Sequence, residues 1–201
     1  MLKIGLTGNI GCGKSSVSNE LKKHGIEIID ADIISREIYE YEDMIEKIKK
    51  YFPSAIKNSK VDRNELGKIV FSDRDKLELL NKLTHTKIKE VVLERLKEAN
   101  EKKHIAVLDA ALLCEAAFDD MVDKLVVVYC KDSEQLKRVV LRDAISEEEA
   151  LKRINSQMSQ MEKVKRADYV IDNSSTLDDL KKNTEKLLEE IKKWKYEYGG
   201  I

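Results

Sequence analysis

Eight residues near the start, Gly8-Asn9-Ile10-Gly11-Cys12-Gly13-Lys14-Ser15, constrain the fold more than any other stretch. The pattern G-x-x-x-x-G-K-[ST] is a loop whose backbone N–H groups cradle phosphates, whose lysine reaches the β- and γ-phosphates and whose hydroxyl holds Mg²⁺. The loop needs a buried strand before it and a helix after it, because the helix supplies free N–H groups and the positive end of its dipole. Both are predicted: Leu2 to Thr7, with Ile4 and Leu6, reads as the strand, and Val17 and Leu21, followed by Gly25 as a stop signal, read as the helix. A glycine-rich turn that binds nothing needs neither Lys14 nor Ser15 at these offsets.

Further strands predict an open parallel sheet, in which ligands gather at the carboxyl ends of the strands. Ile26 to Ile29 is the second strand and runs into Asp30-Ala31-Asp32. Asp32 is the group expected near an acceptor; for either aspartate the competing role is a helix N-cap. Ile105 to Leu108 is the third strand, and Asp109 at its end stands where such proteins place a carboxylate for Mg²⁺, again with a helix cap as the competing role. Leu125 to Tyr129 is apolar throughout, as expected of a strand covered on both faces. Ala167 to Asn173 holds the fifth strand and a loop expected near a nucleotide base. Thr176-Leu177-Asp178-Asp179 then caps a last helix whose Leu180, Leu187, Leu188 and Ile191 face the core.

Two segments are too long for simple connections. Arg36 to Lys103 carries helical periodicity at Ile38, Ile45 and Ile48, then at Leu77, Leu80 and Leu83, then at Ile88, Val91, Val92 and Leu96. Ser72-Asp73-Arg74-Asp75 looks like a capping box within it. This insertion is expected to grip the acceptor; His85 within it is either a structural histidine or part of the site. Between strands four and five, basic residues crowd from Lys131 to Arg166. Arg138 and Arg142, four apart, share a helix face, as do Arg153 and Gln157, and Ser146 caps the second helix. Solvated basic faces are common, but beside a phosphate loop a mobile lid carrying arginines fits the spread charge of a transferring phosphoryl group.

The balance of 37 basic against 38 acidic residues, net charge −1, argues against a general nucleic-acid or membrane-surface binder. Apolar runs such as Ile105 to Leu108 are too short to span a bilayer. Met1-Leu2-Lys3 leads straight into a strand and leaves no room for a signal peptide. Cys12, Cys114 and Cys130 lack metal-ligand spacing, which points to a reduced, cytoplasmic protein. Cys12, at a helix N-terminus where thiol pKa tends to fall, reads first as a small residue that fits; the competing role is an oxidisable thiol that ATP would protect.

In order, these features resemble the dephospho-CoA kinase family over nearly the whole chain. Leu6-Thr7-Gly8 through Lys14-Ser15 is similar to its phosphate loop, and Asp30-Ala31-Asp32 with Arg36 to its D-A-D-x-x-x-R motif. Arg63-x-x-Leu66 with Val70-Phe71, His85, Leu112-Leu113-Cys114-Glu115, Gln135-x-x-Arg138-x-x-x-Arg142, Gln157, and Ala167-Asp168 through Asn173 are similar to later motifs. Ala111 and Thr86 stand where the family usually has proline, and Cys12 replaces a common serine.

The resemblance implies a three-layer α/β/α P-loop kinase with a five-stranded parallel sheet in the order 2-3-1-4-5. The core is expected over 1–35, 104–131 and 167–201, a helical CoA-binding insertion over 36–103 and a lid over 132–166. The implied reaction moves the ATP γ-phosphate to the ribose 3′-hydroxyl of dephospho-CoA. Asp32 is the expected base, assisted by Lys14, Arg138 and Arg142. Nucleotide binding falls to Gly8, Asn9, Ile10, Gly11, Cys12, Gly13, Lys14, Ser15, Ser16 and Asn173, and Mg²⁺ to Ser15 and Asp109. The acceptor falls to Asp32, Arg36, Arg63, His85, Leu112 and Glu115. The alternatives are another small-metabolite kinase of the same fold and a nucleotide-sensing switch protein. For the switch, Asn81-Lys82-Leu83-Thr84 only superficially matches the guanine-reading N-K-x-D.

Overall fold

The computed structural model describes residues 1–102 and 104–198, so the expected end of the insertion at Lys103 and of the core at 199–201 lie outside the described residues. In chain order the elements are β1 (Leu2–Thr7), α1 (Lys14–Lys23), β2 (Glu27–Asp30), α2 (Ala31–Glu37), α3 (Glu42–Tyr51), β3 (Ile56–Lys57), β4 (Lys60–Val61), α4 (Arg63–Phe71) and α5 (Arg74–Lys102). There follow β5 (Ile105–Asp109), β6 (Lys124–Tyr129), α6 (Asp132–Asp143), α7 (Glu147–Asn155), α8 (Gln160–Arg166), β7 (Tyr169–Asp172) and α9 (Leu177–Glu197). The chain divides into two compact units, Met1–Asp30 with Leu96–Ile201, and Ala31–Arg95.

The first unit is built on a five-stranded sheet in the order β2-β5-β1-β6-β7, every neighbouring pair parallel. Numbered within this sheet alone the order is 2-3-1-4-5; along the chain the labels shift because of the β3–β4 hairpin, which the periodicity did not predict. Ala106, Val107 and Leu108 are all fully buried, so both faces of β5 are covered, as a parallel sheet requires. Val17 and Leu21 of α1 and Leu180, Leu187, Ile191 and Trp194 of α9 share one core with Leu2, Ile4, Leu6, Val126 and Ile171. Each such side chain contributes roughly 1.5–3 kcal/mol on burial. Thr176 and Asp179 form the reciprocal capping box expected at the start of α9. The carboxyl edge is aligned by register, with Leu6 and Asp30 both opposite Asp109.

The second unit is largely helical and buries Ile34, Ile38, Met44, Ile48, Phe52, Leu66 and Val70. The two apolar runs between Leu77 and Leu96 belong to a single helix, α5, and not to separate ones. Proline would break that helix; Thr86 instead continues it and donates its hydroxyl to Lys82 O at 2.8 Å. The capping box expected at Ser72 is corrected as well. Asp73 Oδ1 accepts from the Asp75 and Lys76 N–H groups, while the Ser72 hydroxyl donates back to Lys68 O and Ile69 O of α4. Asn81 to Thr84 lies inside α5, with the Thr84 hydroxyl on Leu80 O, so it is no base-reading loop.

Candidate active site

The phosphate loop joins β1 to α1 through two glycines in left-handed backbone, Gly11 at φ 82° and Gly13 at φ 90°. A β-carbon at Gly13 would collide with the Asn173 side-chain amide, and one at Gly11 would press on Val139 and Gln135 of α6. These close approaches explain why the pattern demands glycine. No acidic residue occupies the first turn of α1, so its positive end is left to an anion. Lys14 and Ser15 stand in that turn.

In this structure the Lys14 ammonium lies 2.5 Å from Asp109 Oδ1. Asp109 is only 2 % exposed. Burial pushes its carboxyl above the ordinary range, Lys14 pulls it back, and nearby Asp30 adds to the upward shift. A buried carboxylate in such a setting demands a cation. Together with the exposed Ser15 hydroxyl it makes a set of hard oxygen donors, which fits Mg²⁺, an ion usually held by one or two protein oxygens plus substrate phosphates.

The arginine segment forms a hairpin of α6 and α7. Arg142 donates to Asp143 through Nε at 2.7 Å and Nη2 at 3.1 Å, and Arg153 donates to the same carboxylate at 2.9 Å. The Arg142 hydrogen bond holds the Asp143 carboxyl below its ordinary range. Arg138 lies half-buried on α6, one turn before Arg142. Ser146 caps α7 by accepting from Glu149 N–H.

Gln157 does not share a helix face with Arg153. The helix α7 ends at Asn155, and Gln157 Oε1 accepts the Ile10 N–H at 2.8 Å. Gln135 Nε2 donates to Ile10 O at 2.8 Å, and Asn9 Nδ2 donates to Met158 O at 2.8 Å. The Ile10 N–H, expected among the phosphate donors, is therefore engaged by a side chain and shapes the loop. Asn173 Nδ2 donates to Cys12 O at 2.8 Å, tying the loop to the end of β7. Among the described residues, the buried side-chain oxygens without a hydrogen-bond partner are Asn9 Oδ1, within this loop, and Asn173 Oδ1, beside it.

In the second unit, β2 has already ended at Asp30, so Asp32 sits in the first turn of α2, partly exposed, with Ser35 donating to its carbonyl at 2.8 Å. Arg36 is exposed in the last turn of α2. Arg63 opens α4 with its guanidinium 5.7 Å from the Tyr39 ring centre. His85 is exposed on α5.

A dephospho-CoA kinase family model matches residues 2–179. The chain belongs to the dephospho-CoA kinase family. It is 42% identical to the dephospho-CoA kinase of Listeria innocua over 185 residues, 89% of this chain and 92% of that one. It is also 42% identical to that of Carboxydothermus hydrogenoformans over 199 residues, covering 96% and 94%. The solved structure of dephospho-CoA kinase from Campylobacter jejuni superposes with a TM-score of 0.76 at 31% identity, covering 95% of this chain and 97% of that one. The chain is accordingly a kinase, a phosphotransferase.

Two features set this family member apart from the expectations. Cys12 is fully buried, with its thiol 3.0 Å from Gln160 Oε1 and 3.4 Å from Cys130 Sγ. The Cys130 hydrogen bond and burial push the Cys12 pKa up, which agrees with the small residue that fits and not with a reactive thiolate. Beyond β5, Ala111 O accepts from Thr7 Oγ1 at 3.2 Å and from Lys163 Nζ at 2.8 Å, bonds that ask nothing of a proline ring. Lys163 has a fully buried side chain and lies 3.0 Å from Glu115, whose Oε1 also accepts the Met158 N–H. Leu113 is buried while Leu112 is 48 % exposed. In the sequence Lys163 reads only as one of the basic residues of the lid segment, and nothing there signals the burial of Lys163 and Gln160. Lys163 sits in the run Lys163-Val164-Lys165-Arg166, which looks like solvent surface, and the polar Gln160 carries no periodicity signal.

Proposed function

We propose that the chain transfers the ATP γ-phosphoryl group to the ribose 3′-hydroxyl of dephospho-CoA, giving CoA and ADP, in the cytoplasm. The observation that carries this is Lys14 at the mouth of the loop, beside buried Asp109, in a chain of this family. Loop amides, the α1 N-terminus and Lys14 hold the β- and γ-phosphates. Asn173 Oδ1, buried and without a partner, is an acceptor suited to a base amino group or a ribose hydroxyl. Ser15 and Asp109 would hold Mg²⁺, which when bound neutralises charge on the phosphate oxygens.

Asp32 accepts the proton of the 3′-hydroxyl as its oxygen bonds to the γ-phosphorus and the bond to ADP breaks. Arg138 and Arg142 offset the negative charge spread over the transferring group. Residues 36–103, with Arg36, Arg63 and His85, bind the acceptor, and Leu112 and Glu115 are further residues assigned to it. Residues 132–166 act as the lid whose closure excludes water. The free, buried thiols Cys12, Cys114 and Cys130 support a reducing compartment, and no described helix is long and apolar enough to cross a membrane.

The test is Mg-ATP with dephospho-CoA and a panel of other hydroxyl acceptors. CoA and ADP formed in equal amounts, with dephospho-CoA preferred, is the expected result. Equal turnover of a simple nucleoside, or ADP release indifferent to acceptor, overturns it.

A further inference from the structure

The two peptide groups of Ile10 are gripped from both legs of the arginine hairpin. From α6, Gln135 Nε2 donates to Ile10 O; from just beyond α7, Gln157 Oε1 accepts the Ile10 N–H, each at 2.8 Å. Gln160 braces the same place, its Oε1 taking the Cys12 thiol at 3.0 Å and the Cys130 N–H at 3.1 Å. Its Nε2 donates to Gln135 Oε1 at 3.0 Å and to Asp132 Oδ1 at 3.0 Å. A cavity of about 620 Å³ opens beside this cluster, bordered by Asn9, Gln135, Leu151, Gln157 and Gln160. Packing is therefore incomplete on that side, and hydrogen bonds fix the loop there.

We infer that Gln157 is a positioning residue for the nucleotide: by holding the Ile10 N–H it fixes the phosphate loop's shape and ties that shape to the hairpin carrying Arg142 and Arg153. The inference rests on the reading of this loop as the ATP site. Gln157 touches no phosphate in this role; it acts through Ile10. Gln135 and Gln157 together make the loop and the base of the hairpin one piece, so the arginines are referenced to the phosphates they serve.

Gln157 is half-buried, so substitution there leaves the core untouched. Gln157→Met keeps the side-chain length and removes the acceptor. ADP binding by calorimetry, KM for ATP and KM for dephospho-CoA are measured for wild type and variant, alongside the unfolding midpoint. The expected result is roughly tenfold weaker ADP binding and a similarly raised KM for ATP, with KM for dephospho-CoA within about twofold of wild type. Ser156→Ala is the control: it removes the hydroxyl bond to Arg153 O at the end of α7 and touches no loop residue, so ADP affinity stays unchanged. Unchanged ADP affinity in a folded Gln157→Met, or an equal loss in Ser156→Ala, overturns the inference. Gln157→Asn, one methylene too short to reach Ile10, carries the same test if the methionine variant does not fold. A wild-type chain that binds no ADP overturns the ATP-site reading instead, so the two failures are told apart.

Discussion

The phosphate loop and the helical second unit are held by different kinds of bond. Around the loop the polar contacts join residues far apart in sequence: Asn9 to Met158, Ile10 to Gln157, Cys12 to Gln160 and Asn173 to Cys12. In the second unit most polar contacts are local. Asp62 caps α4 and meets Lys57, Asp73 caps α5, Lys47 meets Asp43, and Lys68 meets Glu65. Arg95 with Glu37, Lys87 with Asp43 and Arg63 over the Tyr39 ring are longer-range exceptions among the described residues. A long-range polar cluster sets one loop geometry before any ligand arrives, whereas local caps stabilise individual helices and leave their arrangement to apolar packing. The donor half of the chemistry is thus preorganised by side chains from the hairpin, and changes there should register as nucleotide affinity.

Lys14→Ala gives the largest expected effect. It lowers kcat by about 10³-fold and weakens ATP binding by at least about tenfold, since it removes a fixed charge aimed at the phosphates. It also takes from buried Asp109 an ion-pair partner, at a cost on the order of 3 kcal/mol near neutral pH. Burial holds the Asp109 carboxyl above its ordinary range, against the pull of Lys14. A group of that kind adds stability at low pH and loses it as pH rises through its folded pKa. The variant's stability deficit therefore shrinks as pH falls, which thermal melts from neutral pH into the carboxylate range will measure. ATP affinity close to wild type would break the contrast between the two units at its centre. Asp32→Asn comes next, and it sharpens the contrast from the other side: kcat falls about 10²- to 10⁴-fold while ADP affinity holds. An equal loss of ADP affinity in that variant would mean the second unit also shapes the donor site.

What could be read from the sequence follows the same division. The strands, the loop glycines with Lys14 and Ser15, and the capping boxes of α8 and α9 depend on neighbours within a few residues, and the boxes at Ser159 and Thr176 form as such patterns dictate. Of these two, only the second was anticipated, because Ser159 stands inside a segment read for its charge. The burial of Lys163, the Gln135–Gln157 grip on Ile10 and the closed environment of Cys12 depend on residues about 50 to 150 positions away. No periodicity records such pairings. The single span of α5 was missed for a local reason: the two apolar runs shift in phase, and only the absence of a breaker at Thr86 shows that they join.

Asp62→Ala addresses the locally held unit. Asp62 Oδ1 accepts the Asn64 and Glu65 N–H groups, and Lys57 sits at 2.7 Å. Loss of one N-cap lowers the unfolding midpoint by about 2–4 °C and leaves ADP affinity unmoved. The Lys57 hydrogen bond, then the backbone N–H groups, hold this carboxyl below its ordinary range. Its contribution is present above the unfolded aspartate pKa and is lost as pH falls through the lower folded value. Wild type and variant therefore melt alike in strong acid and separate as pH rises.

The smallest effect expected is none at all, and it tests how firmly the loop is closed. Cys12 is fully buried, and its hydrogen bond with Cys130 and its burial keep it protonated. Alkylating reagents at mildly alkaline pH, followed by mass spectrometry of the digested protein, should leave Cys12 unlabelled with or without Mg-ATP, and label it once denaturant is added. Labelling of the native protein that Mg-ATP suppresses would mean the loop opens readily. In that case the long-range hydrogen bonds around Ile10 and Cys12 do not hold one geometry, and the contrast between a preorganised donor site and a locally capped second unit fails.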